Sequence, residues 1–175
     1  MQPAASTRRK RKVRRAIALL LAAAFLVPIA ARAALFAFNE QPRGWWGADW
    51  SSTGTLPEAR EHPDARLLIF SERTGGWRGV FAVHSWIVLK PENGERWTRY
   101  DVIGWGNPIR TNGWAPDGRW RGSDPALVAD VRGPAAQRLI PRIEAAVQSY
   151  RWRNPGEYRA WPGPNSNTFV AHVMR

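Results

Sequence analysis

Residues 79–106 read GVFAVHSWIVLKPENGERWTRYDVIGWG, and this stretch decides the fold. Its first half is apolar on both faces of an extended chain. Phe81, Val83, Ile87 and Leu89 fall on one face, and Val80, Ala82, Trp86 and Val88 on the other. A strand of that composition is covered on both sides. Asn93-Gly94 comes next, the pair that best supplies the two positive φ angles of a tight hairpin turn. A two-residue turn pairs Glu92 with Glu95 and sets Trp86 opposite Asp101. His84 and Asp101 then become diagonal neighbours on one face, about 7–8 Å apart between backbones. One more residue in the loop exchanges the faces and brings Tyr100 there instead.

The rest of the domain is organised around that hairpin. ARLLIFSER predicts a further strand over 66–72. Residues 107–133 are rich in Gly, Pro and Asp and read as a long loop. GPAAQRLIPRIEAAVQSY, 133–150, reads as a helix with Pro134 in its first turn. Its apolar stripe is Leu139, Ile140, Ile143, Val147 and Tyr150. Pro141 is expected to kink or split it. RWRNPGEYRAWPGP is another loop, and NSNTFVAHVMR opens a last, short helix at 165. The expected fold is α+β, an antiparallel sheet with packed helices, preceded by an N-terminal hydrophobic helix. Residues 1–38 form a signal peptide or membrane anchor, 39–64 a linker rich in Trp, Gly and Pro, and 65–175 the domain.

The chain of 175 residues is 44% hydrophobic, with eleven Trp and no Cys. That excludes a disordered chain, disulfides, thiolate metal sites and a cysteine nucleophile. The net charge is +12, but its distribution argues against nucleic acid as a partner. Residues 8–15, RRKRKVRR, and Arg32 hold eight of the 26 basic groups, and all 14 acidic ones lie beyond Ala34. The basicity therefore belongs largely to a targeting segment. After it, AIALLLAAAFLVPIA at 16–30 fits a signal-peptide core that Pro28 would end, with ARA at 31–33 as a cleavage site. The rival reading runs to Phe38, about 23 residues, as a membrane span. The basic residues before this segment put the C-terminal domain outside the cytoplasm in either case. The protein is either anchored in the cell membrane by this one segment, or secreted or periplasmic after cleavage near Ala33.

Three residues form a candidate catalytic set. His84 is an isolated histidine on an apolar strand, either a general base or a core histidine with satisfied bonds. Asp101 is its candidate orienter, or else the partner of one of the many arginines. Ser166 stands at the start of the last helix. Unpaired N–H groups and partial positive charge there suit a nucleophile and an oxyanion. The same position suits an N-cap. His62 and Asp64, in EHPD, have no second cluster to make a metal site. No metal and no cofactor are expected.

GWRGVFAVHSWIVLK (76–90) and YRAWPGPNSNTFVAHV (158–173) resemble an uncharacterised bacterial envelope family, domain of unknown function 3750, over about residues 45–175. The resemblance implies a membrane-associated or exported protein without established activity, and a chain that continues past Arg175. The order His84, then Asp101 or Tyr100, then Asn165-Ser166-Asn167-Thr168-Phe169 resembles circularly permuted papain-like proteins. These are the NlpC-type and lecithin:retinol acyltransferase-like group. That resemblance implies a permuted papain-like core, with Ser166 where the group has cysteine. Two functions are expected on these grounds. One is a papain-like hydrolase or acyl transferase on an envelope amide or ester, using Ser166, His84 and Asp101. The other is a non-catalytic module that binds envelope glycan, peptide or lipid in a Trp-lined groove, with Trp86, Tyr100, Trp161, Asn165 and Asn167 as its residues.

Overall fold

The computed structural model describes residues 4–38 and 45–175, with side chains over 8–35 and 45–175. The chain divides into two units, Met1–Gln41 and Pro42–Arg175. The described part of the first is one helix, α1, Ala4–Phe38. It runs unbroken through Pro28, which the sequence was expected to use as a stop. One proline removes one N–H and crowds one carbonyl. The surrounding turns of Ala and Leu have enough helix propensity to absorb that local cost. Arg8–Leu35 is long and apolar enough to cross a membrane, a test that an N-terminal signal sequence also passes. Of the expected linker, residues 39–44 lie outside the described residues.

The second unit is α+β. Its strands are β1 (Arg66–Arg73), β2 (Val83–Lys90), β3 (Thr98–Val102), β4 (Ile109–Thr111) and β5 (Ala126–Arg132). They form one antiparallel sheet in the order β4-β3-β2-β1-β5. Two helices come after the sheet, α2 (Gly133–Gln148) and α3 (Ser166–Val173). β2 is the central strand, buried from His84 to Lys90, as a run apolar on both faces requires.

The hairpin register is the expected one, with Ile87 opposite Tyr100 and Val88 opposite Arg99. The turn that sets it differs. The backbone closes from Gly94 N–H to the Pro91 carbonyl, so Glu92 and Asn93 are the central residues. Asn93 alone among them has a positive φ, 53°. Proline at the first corner removes a ladder donor, so pairing stops at Leu89–Thr98 and the turn sits inside a wider loop. Residues 79–82 are not strand. Gly76–Val80 is a 3-10 turn, closed by Phe81 and Ala82 N–H groups on the Arg78 carbonyl.

Two further expectations are corrected. Residues 107–133 are not one loop, because β4 and β5 both lie within them. Each borders the sheet, where a strand needs only one partner and little apolar sequence. Pro141 does not split α2. The buried stripe Ala136, Ile140, Ile143, Val147 continues through it, and the packing of that stripe on the sheet outweighs one lost backbone bond.

The sheet has two unlike faces. α2 and α3 cover one, packing Leu67, Ile87, Leu89 and Val102 against Ile140, Ile143, Val147, Tyr150 and Phe169. The other is covered by loops. Leu68, Phe70, Trp86, Val88, Ile103 and Trp120 are joined there by Trp45, Trp50, Leu56, Trp97 and Trp114. Residues 45–64 are therefore part of the packed unit. Asp117 pins them: its carboxylate accepts bonds from the Ser52 and Thr53 hydroxyls and from the Thr55 and Leu56 amides.

Candidate functional site

Strand alternation decides which residues meet. Arg99 and Asp101 point from β3 toward the tryptophan face, as do Ile103 just after it and His84, Trp86 and Val88 from β2. His84 Nε2 lies 2.9 Å from Asp101 Oδ1. Arg99 grips the same carboxylate twice, Nε to Oδ2 at 2.7 Å and Nη2 to Oδ1 at 2.9 Å. Arg99 Nη1 donates to the Ala115 carbonyl, and its guanidinium lies 4.0 Å above the Trp86 ring. Arg99 and Asp101 are fully enclosed, and His84 is nearly so. Trp120 stacks flat on the imidazole, centroids 3.7 Å apart and planes at 9°.

The charges in this cluster are fixed by that enclosure. Burial pushes Asp101 up, but the His84 bond and the Arg99 guanidinium outweigh it and hold the carboxyl below its ordinary value. An ionised carboxylate only accepts hydrogen bonds. His84 therefore carries its proton on Nε2 and keeps a free electron pair on Nδ1. Burial also pushes the imidazole below its ordinary value, against the opposing pull of Asp101. At neutral pH His84 is the uncharged form, the one able to take a proton.

The start of α3 reaches the same strand from the other side. Asn165 is the N-cap: its Oδ1 accepts the Thr168 N–H at 3.1 Å, and its Nδ2 donates to the Ala160 carbonyl. Ser166, 2% exposed, accepts the Ser85 N–H on its Oγ at 3.4 Å. Asn167 clamps the strand, donating to the Val83 carbonyl at 3.1 Å and accepting the Ser85 hydroxyl at 2.9 Å. β2 pairs with β3 only from Ile87 onward, so the Ser85 amide is open to the serine. Two covalent bonds separate that amide nitrogen from His84 Cα, which puts Ser166 Oγ at most about 6.3 Å from that atom. The serine's hydrogen bond is to the strand amide and not to the imidazole. The N–H groups of Ser166 and Asn167 belong to the first turn, which a helix leaves without internal partners.

The remaining expected site residues scatter. Trp86 is fully buried, with its indole N–H on the Pro116 carbonyl, and has no face for a ligand. Tyr100 points to the helix face, packed against the aliphatic core, so the register leaves Asp101 alone beside His84. Trp161 is 89% exposed. Three contributors are not apparent from the motifs alone. Arg99 is signalled only by its spacing, two residues before Asp101 on the same strand face. Trp120 and Ser85 have no such signal, because one comes from a loop and the other acts through its backbone.

No curated protein and no solved structure is significantly similar to the chain. The family described as "Protein of unknown function (DUF3750)" matches residues 64–175. That stretch carries His84, Arg99, Asp101 and all of α3, and with it the greater part of the chain: the protein belongs to this family.

Proposed function

We propose that the protein is a membrane-anchored envelope enzyme that hydrolyses or transfers the acyl group of an amide or ester. Its domain lies outside the cytoplasm. One observation carries the chemistry: the strand that holds the His84–Asp101 bond also holds Ser166 Oγ, through the next residue's amide. In this reading Ser166 Oγ attacks the carbonyl carbon as His84 Nδ1 takes the hydroxyl proton. The first-turn N–H groups of α3 receive the developing oxyanion. His84 then returns the proton to the leaving nitrogen or oxygen, and water or an acceptor nucleophile releases the acyl group from Ser166. Asp101 keeps the imidazole in the required tautomer, and Arg99 keeps Asp101 ionised. Catalytic hydrogen bonds are often long before substrate binds, which accommodates the resting bond of Ser166 to the strand amide.

A fluorophosphonate probe tests this. The full chain is expected to be labelled, with no label on Ser166→Ala. His84→Asn is expected to slow labelling by roughly 10²–10⁴-fold, the usual contribution of a general base. Equal labelling of Ser166→Ala, or an unlabelled wild type of unchanged melting temperature, sinks the nucleophile. A second reading draws on the enclosure of the cluster. Ser166 and His84 are almost fully buried and Trp120 covers one face of the imidazole, as in a core that only supports a binding surface. Full biological activity of Ser166→Ala would favour that reading.

A further inference from the structure

Three loops gather around the first turn of α3. The chain leading into β2 is tied there by Asn167 on the Val83 carbonyl. The 158–164 loop is tied by Asn165 on the Ala160 carbonyl. The loop after β3 joins them at Gly104, whose backbone lies against the Tyr158 ring. Arg78 is close enough to Tyr158 for its charge to act on the phenol. Each loop exposes large apolar side chains. Trp77 is 67% exposed, Phe81 64% and Trp105 47%, and Trp161 protrudes furthest.

Such a rim needs an occupant, and three observations choose a bilayer surface. First, the side chains are of the kind that sits at headgroup depth, with Trp leading. Second, the charge is positive on balance, with Arg73, Arg78 and Arg159 against Glu72 and Glu157. Residues 73–83 carry Arg73 and Arg78 and no acid, and Arg159 flanks Trp161. Anionic lipid complements that sign. Third, residues 39–44 join the domain to an apolar helix long enough to cross a membrane. Seven residue steps separate Phe38 from Trp45, a covalent reach of at most about 25 Å. A bilayer that holds α1 is therefore within reach of the domain.

We propose that the rim of Trp77, Phe81, Trp105 and Trp161 docks on the anionic membrane surface and turns the α3 N-terminus toward it. The docking rests on α1 being inserted in the bilayer and is independent of any chemistry at Ser166. For the candidate enzyme it names the substrate class: an amphiphile resident in the membrane, met at headgroup level.

The absence of cysteine gives a clean test. Phe81→Cys and Trp161→Cys are made in the full chain, with Glu95→Cys as control. Lys90, the far end of β2, lies about 24 Å along the strand from Val83, and Glu95 follows the turn beyond it. Each carries an environment-sensitive fluorophore, and the chains are reconstituted into phosphatidylglycerol-containing vesicles with headgroup-nitroxide lipids. Quenching at 81 and 161 is expected to exceed that at 95 several-fold, with blue-shifted emission at the two rim sites. Equal quenching at all three sites, or water-like emission at 81 and 161, overturns docking. Energy transfer between labelled copies at 81 and 161 without nitroxide quenching assigns the rim to a second copy and also overturns it. Failure of the chain to float with vesicles sinks the anchor reading instead, and is read separately from the quenching.

Discussion

The two faces of the sheet are built by different physics. The helix face is an aliphatic core, where α2 presents a residue every third or fourth position and the sheet answers with alternate residues. The tryptophan face has no periodic partner. Loops from 45–56 and 114–120 supply indoles at irregular spacing, and polar groups fix them in place. It is also the face that holds ionised groups out of water: Arg99, Asp101 and the pinning carboxylate of Asp117. An aliphatic face loses stability in proportion to what is removed. A face with enclosed charge loses it sharply, because what remains is a charge without its partner.

The largest effect tests that difference directly. Asp101→Ala leaves the Arg99 guanidinium buried with only a backbone carbonyl and two ring faces for company. The expected loss is about 3–5 kcal/mol, the range for breaking one partner from a buried pair. Chemical denaturation of the purified chain measures it. Replacing Arg99 and Asp101 together by apolar residues of similar volume is expected to recover most of that loss. A loss below about 1 kcal/mol for Asp101→Ala would mean that water reaches the cluster, and the contrast between faces would fail.

Asp117→Ala comes next. It releases four donors from residues 52–56 at once. Each hydrogen bond to a charged acceptor contributes about 1.5–3 kcal/mol when buried, less here because the donors regain water. We expect about 2 kcal/mol of global destabilisation, and a new protease-sensitive site within 51–56 while the helix face stays protected. Mass spectrometry of the fragments locates the cut. Unchanged protection over 51–56 would mean that the tryptophans alone hold the segment.

Legibility in the sequence divides along the same line. β1, β2, β3, α2 and α3 are readable because apolar periodicity or an apolar run marks each of them. The His84–Asp101 contact is readable because strand alternation and register are arithmetic. β4 and β5 are not, since a three-residue strand and a sheet-edge strand with exposed Leu127 and Val128 carry no buried pattern. Trp120 is countable in the sequence but not locatable. Its position over His84 depends on a loop path that local residue preferences do not encode. Ser166 is legible as the helix start and not as a partner of Ser85, because that contact exists only where β3 leaves the edge of β2.

The smallest effects separate the faces by pH. On the tryptophan face His84 is held below its ordinary value. The unfolded chain then binds a proton that the folded chain refuses, so stability falls as pH drops from about 6.5 toward the folded value. Asp101 shares the sign: its stabilising contribution is present above about 3.8 and is lost as pH falls through its lowered value. On the helix face burial raises three tyrosines, Tyr100, Tyr150 and Tyr158, and Tyr150, buried with no hydroxyl partner among the described residues, is the one pushed up to about 12. Its sign is opposite. The folded chain keeps a proton that the unfolded chain releases near 10, so the contribution is whole below about 10 and gone above about 12. Tyr150→Phe deletes an enclosed hydroxyl that bonds to nothing, so at pH 7 it is expected to change stability by less than about 1 kcal/mol. The same variant makes the alkaline limb of a melting-temperature profile shallower and leaves the acid limb untouched, while His84→Asn flattens the limb that begins below about pH 6.5. If Tyr150→Phe also moved the acid limb, the two faces would be electrostatically coupled through the sheet, and treating them as separate cores would be wrong.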